Sequence, residues 1–230
     1  MPPIVKASFA SIKKHAGEHP VILITKDNIK QLLSDCTLWD DEIYKYVQTK
    51  EISFTHLSDL FRLCILYSKG GIWIDATIIM NWDIDKIVEG LAFVSGRRVG
   101  VKSKYAVPQG KWTTYFMGSA KGNLLLKFIY EVLTEHLKKE GHFVDYFMQD
   151  YAFVVAYNHL PYVRDMVDAI PPMPARFNDL HKIRNREYSP SYYEKMCREV
   201  PFFKMTYKKK LIEVTASGQP TFYGHILSQT

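Results

Sequence analysis

The stretch that most constrains this chain runs from Thr55 to Ile79, THLSDLFRLCILYSKGGIWIDATII. Leu57, Leu60, Phe61, Cys64 and Tyr67 recur at helical spacing and Thr55 stands where a cap belongs, so the periodicity predicts a helix with one buried side. Gly70 and Gly71 end it, because the residue past a last helical turn often takes a positive φ that glycine adopts without steric cost. Ile72, Trp73 and Ile74 then form a short apolar run of β-formers, the pattern of a strand covered on both faces. Asp75 follows that strand at its C-terminal end, where open α/β sheets place their ligand crevices.

Asp59 and Arg62 lie three apart on the same helix, which lets a carboxylate acceptor and a forked donor share one face. Such a pair suits a polyhydroxyl ligand such as a sugar. An exposed intrahelical ion pair, worth about 0.2–0.5 kcal/mol, is the structural alternative.

Taken in order, Ser58-Asp59, Arg62, Leu66-Tyr67 and Gly70-Gly71-Ile72-Trp73-Ile74-Asp75 resemble the SD..R....Y..GGIY.D.D signature of sugar-transferring glycosyltransferases that carry a DXD site. The resemblance is strongest to the capsular polysaccharide synthesis proteins, in which an IWIDAT form of the motif occurs, and weaker to mannosyltransferases and toxin glucosyltransferases. It implies a GT-A fold and transfer, with retention, from a nucleotide-sugar donor, a uridine diphosphate sugar, to a polysaccharide or lipid-linked glycan acceptor. Carried onto this chain, it assigns donor binding to Ser58, Asp59, Arg62, Asp75 and Thr77, with Asp75 also catalytic.

A full DXD site uses two carboxylates to hold Mn²⁺ or Mg²⁺ against a diphosphate, since hard cations take oxygen ligands. Here Thr77 stands at the second acidic position, so weaker metal binding, or metal independence, is expected. In related transferases a C-terminal loop closes over the diphosphate, sometimes with a His on the metal, which makes His225 the second metal candidate beside Asp75. The literal D-x-D at Asp83-Ile84-Asp85 reads as a solvated turn after the strand.

Downstream, VDYFMQDYAFVVAY sets Asp145, Gln149 and Asp150 into an apolar helix. A carboxylate amid Phe, Met, Tyr and Ala needs a partner or solvent, which makes Asp150 a second catalytic candidate. A first-turn charge on a structural helix is the alternative. In the family a polar residue at a similar helix position lies near the sugar.

Composition narrows the partners. A formal net charge of +6 suits an anionic partner such as nucleotide-sugar phosphates or a lipid surface, the latter as peripheral membrane contact. Lys208-Lys209-Lys210 lacks any nucleic-acid motif around it, so no nucleic-acid partner is expected. Cys36, Cys64 and Cys197 form no CxxC pair, which argues against a disulfide framework or zinc site. With no signal-peptide pattern and no apolar run of spanning length, the expected location is cytoplasmic, at most on the inner face of a membrane.

Along the chain, residues 4–15 read as a helix after Pro2-Pro3, residues 20–25 (PVILIT) as a buried parallel strand, Lys26-Asp27-Asn28 as a turn into a helix through Leu33, and residues 39–48 as another helix. In the resembling family a strand carrying part of the nucleotide pocket precedes the first helix. Its absence leaves two expectations, a fragment or a nucleobase held by other residues. No GxGxxG or P-loop occurs. Further strands are expected at 91–95, 112–119 and 210–215, a basic glycine-containing loop at 96–110, and a helix at 123–137. Strands separated by helices give the expected fold class: one α/β domain over 1–230, GT-A-like, with a mostly parallel central sheet flanked by helices. Within it, 1–170 forms the nucleotide-sugar core and 171–230 a basic, Tyr-rich lid or acceptor-side region, with Arg176, Lys182, Arg184, Arg186, Tyr188, Tyr192 and Tyr193. A non-catalytic sugar- or nucleotide-binding module is the alternative function.

Overall fold

The computed structural model describes residues 1–49, 52–98, 101 and 106–229, with the backbone alone for 47, 175 and 176. Its elements run α1 Pro3–His15, α2 Ile29–Ser34, α3 Ile43–Gln48, α4 Phe54–Lys69, β1 Gly71–Ile74, β2 Ile78–Met80, α5 Ile84–Val88, β3 Phe93–Ser95, β4 Phe116–Ser119 and α6 Leu124–Glu140. They continue as α7 Met148–His159, α8 Pro161–Asp168, a 3₁₀ turn Ala175–Asn178, α9 Asp179–Ile183, α10 Pro190–Glu199, β5 Phe202–Lys204 and α11 Phe222–Ser228.

Helix α4 is set at both ends by local chemistry. The Ser53 hydroxyl accepts from the His56 N–H at 3.2 Å, so the cap lies two residues before the expected Thr55. Gly70 follows at φ 71°, its N–H on the Leu66 carbonyl at 2.8 Å. An added Cβ there would lie 2.9 Å from the Lys121 backbone nitrogen, so glycine is required by contact as well as by conformation.

The chain divides into two compact units with interleaved segments. One comprises Met1–Leu23, Ile74–Glu89 and Met173–Thr230, the other Ile24–Trp73 and Gly90–Pro172. In the second unit, α4 packs on α6, α6 on α7 and α7 on α8, burying Leu60, Leu63, Cys64, Ile129, Leu133, Phe153, Val163 and Val167. Its sheet has the order β1-β4-β3, with β3 and β4 antiparallel in the register Val94 to Gly118.

In the first unit, β2 pairs antiparallel with β5, matching Ile78 to Lys204 and Met80 to Phe202. The other edge of β2 is closed by a helix. The buried Ser8 hydroxyl on α1 donates to the Ile78 carbonyl at 2.6 Å, and the Ser11 hydroxyl accepts from the Met80 N–H at 3.1 Å. Two hydroxyls thus satisfy backbone groups that a third strand would otherwise meet. Phe177, Leu180, Met196, Phe202, Phe203, Phe222 and Ile226 are buried in this unit.

This architecture corrects the expected fold class. Among the described residues there are eleven α-helices and five short strands in two small sheets, with antiparallel β2–β5 and β3–β4 pairs, and no mostly parallel, GT-A-like central sheet. The run 20–25 forms no strand and Ile22 is 60% exposed, because β-propensity expresses fit to a pleated, half-buried surface and is overridden where the chain is not placed on one. The strand expected at 210–215 is reduced to a single bridge between Val214 and Pro220. That expected at 112–119 begins only at Phe116. Residues 99, 100 and 102–105 of the basic loop, and the Arg176 side chain, lie outside the described residues.

Candidate functional site

The motif helix brings its polar residues into a buried cluster of the second unit. Arg62, with a side chain only 5% exposed, places Nη1 3.0 Å from Asp59 Oδ1 and donates to Gln149 Oε1 at 3.2 Å. Its guanidinium stands 5.1 Å from the centre of the Trp73 ring, a cation–π contact with the motif's own strand. A guanidinium is weakly hydrated and presents its donors in a plane, which is why Arg rather than Lys tolerates this burial. The pair is therefore not the solvent-exposed alternative considered for α4. Ser58 precedes Asp59 on the same helix and is partly buried.

Asp150 lies in the first turn of α7, next to Gln149, and is buried. Burial pushes its carboxyl above the usual carboxylate range, while the Trp112 hydrogen bond and the Arg62 charge pull the other way. The Trp112 indole donates to Asp150 Oδ1 at 2.8 Å and stacks on Phe153 at 4.0 Å between ring centres. Trp112 thus acts as a buried anchor for the carboxylate, where the sequence suggested the first residue of a strand. Asp145 stays exposed and caps the turn before α7, accepting from the Phe147 N–H at 2.7 Å.

Asp75 and Thr77 belong to the first unit. Lys204 on β5 donates to Asp75 Oδ2 at 2.8 Å and to Thr77 Oγ1 at 3.0 Å, with the Lys204 and Asp75 side chains 24% and 27% exposed. Sequence reasoning missed Lys204, and no local signal marks it, since it reaches the motif only through the β2–β5 pairing. His225, on α11, stacks on Tyr188 at 3.8 Å and meets Tyr193 edge-on at 5.1 Å. Burial lowers its pKa below the ordinary imidazole value. It also lines a cavity of about 470 Å³ with Ser11, Lys14, Asn81 and Cys197. Asp83 and Asp85 are exposed as expected, but they stand at the N-cap and in the first turn of α5 and not in a turn, and they meet His15 at 3.1 Å and His19 at 2.7 Å.

The residues that would hold Mn²⁺ or Mg²⁺ do not form a cation cage. Among the described residues no group of three or more His, Cys, Asp and Glu is placed to share a metal, and the Asp75 and Thr77 oxygens already receive an ammonium. No helix among the described residues is long and apolar enough to cross a membrane.

Fold and site together define a helix-rich protein of two units with a buried arginine–carboxylate cluster built on its sequence motif. The chain belongs to the capsular polysaccharide synthesis protein family, whose model matches residues 1–226. That membership ties it to capsule polysaccharide synthesis. No curated protein and no solved structure matches it.

Proposed function

We propose that this protein is a glycosyltransferase moving a sugar from a nucleotide-sugar donor, a uridine diphosphate sugar, to a capsular polysaccharide or lipid-linked glycan acceptor. The observation that carries this reading is the grouping of a partly buried Asp59 with the buried Arg62, Gln149 and Asp150 in one cluster. Family membership supports it independently.

In this reading Asp59 and Arg62 engage the donor sugar through its hydroxyls. Their fixed geometry turns binding energy into orientation of the reacting carbon. The Gln149 carbonyl keeps the Arg62 fork in place, and Trp73 offers an aromatic face beneath it. As the diphosphate departs, the sugar carbon gains oxocarbenium character, and Asp150 lies in the same buried cluster to stabilise it. The leaving group's negative charge needs a preorganised cation.

The test is release of nucleoside diphosphate from a panel of nucleotide sugars in the presence of capsule oligosaccharide. Asp59→Asn and Arg62→Lys, each checked for folding by circular dichroism, are expected to lower turnover by about 10²-fold, the scale set by loss of substrate positioning. Release from no donor, or release indifferent to both substitutions, overturns the proposal.

A further inference from the structure

The strand ladder of the first unit, more than the motif, sets what Asp75 meets. Ile78 pairs with Lys204, and the Met205 N–H bonds the Thr77 carbonyl at 2.8 Å, which locks β5 against the chain just beyond Asp75. The Lys204 ammonium therefore sits on Asp75 Oδ2 and Thr77 Oγ1, the side chains at the two acidic positions of a DXD pattern.

A divalent cation is a poor fit beside that ammonium. Like charges a few ångströms apart repel, and Thr77 offers a neutral oxygen where hard cations favour a carboxylate. The charges of these three groups balance without a metal. Two carboxylates and a divalent cation sum to zero, and so do one carboxylate, one hydroxyl and one ammonium.

Resting on the glycosyl-transfer reading, we infer that Lys204 is the built-in cation of the Asp75–Thr77 pair in the first unit and meets a nucleoside diphosphate there. Asp75 and Thr77 hold the ammonium in place. In the transfer step the bond from the anomeric carbon to the phosphate oxygen breaks, its electron pair staying on the diphosphate. The acceptor oxygen bonds the anomeric carbon, and its proton leaves to water. Lys204 balances the charge on the departing diphosphate, a role a bound metal fills elsewhere. With 24% of its side chain exposed, it is reachable from solvent.

The experiment is calorimetric titration of nucleoside diphosphates, uridine diphosphate first, into the full chain in EDTA and in Mn²⁺. Affinities within about twofold of each other are expected in the two buffers. Lys204→Met, which keeps the aliphatic stem, should weaken binding by about tenfold or more, roughly the value of one hydrogen bond to a charged group. Thr77→Asp combined with Lys204→Ala rebuilds a two-carboxylate site and should bind the diphosphate only with Mn²⁺. Thermal melting checks that each variant folds.

Wild-type binding that EDTA weakens tenfold overturns the inference while leaving the transferase reading intact, and this comparison needs no variant. A folded Lys204→Met that binds normally also overturns it, as does a folded double variant that stays blind to Mn²⁺. If no nucleoside diphosphate binds in either buffer, the donor reading and this inference fall together.

Discussion

The Trp112 indole N–H donates a 2.8 Å hydrogen bond to Oδ1 of Asp150, tying the chain before β4 to the first turn of α7. That bond stabilises a carboxylate in a setting that burial makes unfavourable. Because burial raises the folded pKa above the ordinary aspartate value of 3.8, the folded chain holds a proton that the unfolded chain has already released. This contribution is therefore most favourable below pH 3.8 and is lost as pH rises through the folded value. Asp150→Asn keeps an acceptor for the indole without the titration. Its stability relative to wild type should increase from about pH 4 to about pH 7 in urea unfolding. A difference independent of pH would show that ionisation of Asp150 carries no such cost.

Trp112→Phe removes the donor and keeps most of the stacking on Phe153. Leaving a buried carboxylate short of a partner costs about 1–3 kcal/mol, so the urea midpoint should fall. Combining it with Asp150→Leu should recover part of the loss, since an apolar group needs no donor.

Arg62 is a buried charge held by Asp59, Gln149 and the Trp73 ring. Arg62→Leu leaves Asp59 without its guanidinium and should cost about 3 kcal/mol, the scale of breaking one partner of a buried pair. Arg62→Lys keeps the charge without the planar fork and should fall between. Equal loss in both would place the whole effect in geometry. Chemical denaturation of the three proteins separates the cases.

The two motif glycines differ. Gly70 and Gly71 take φ of 71° and 96°, yet an added Cβ meets the Lys121 backbone nitrogen at 2.9 Å at Gly70 and nothing within 4 Å at Gly71. Both alanine substitutions carry conformational strain, and only Gly70→Ala adds a clash with backbone that cannot swing away. Gly70→Ala should therefore lower the melting temperature more than Gly71→Ala.

Ser8 donates to the Ile78 carbonyl from a fully buried position, and Ser8→Ala leaves that carbonyl without its hydroxyl. A loss of about 1–3 kcal/mol is expected. Ser8→Thr, which keeps the hydroxyl, should lose less if the helix face accepts the methyl group. The edge of β2 that Ser8 and Ser11 close would otherwise be open to another strand, so light scattering on heating should reveal more aggregation in the alanine variant.

The parts of this molecule legible in the sequence are those set by neighbouring residues. Helix α4, its stop at Gly70 and the existence of the strand before Asp75 follow from periodicity and backbone sterics within twenty-odd positions, although Ile72, Trp73 and Ile74 are only half-buried and not covered on both faces as expected. The grouping of Asp59 with Arg62 was legible for the same reason, whereas the burial of Arg62 against Gln149 depends on packing 87 residues away along the chain. Strand pairing was not legible. A short apolar run such as 20–25 looks the same whether or not it joins a sheet, and here it forms no strand. The link from Lys204 to Thr77 spans 127 positions and no motif announces it. Trp112 marks the opposite failure, a residue noticed for its type and assigned to a strand when its indole N–H was the informative group.

The unit that contains Asp75 has its pieces spread along the chain. Helix α1 and strand β2 leave the ribosome long before β5, and Ile78 has no Lys204 to pair with until residues past 173 have been made. Loop closure over such a separation must precede any reward from the ladder, which makes this unit slow to assemble compared with a local helical hairpin. The motif carboxylate thus acquires its cation late in synthesis. A ligand that depends on that pair can bind only a chain that is already translated through β5.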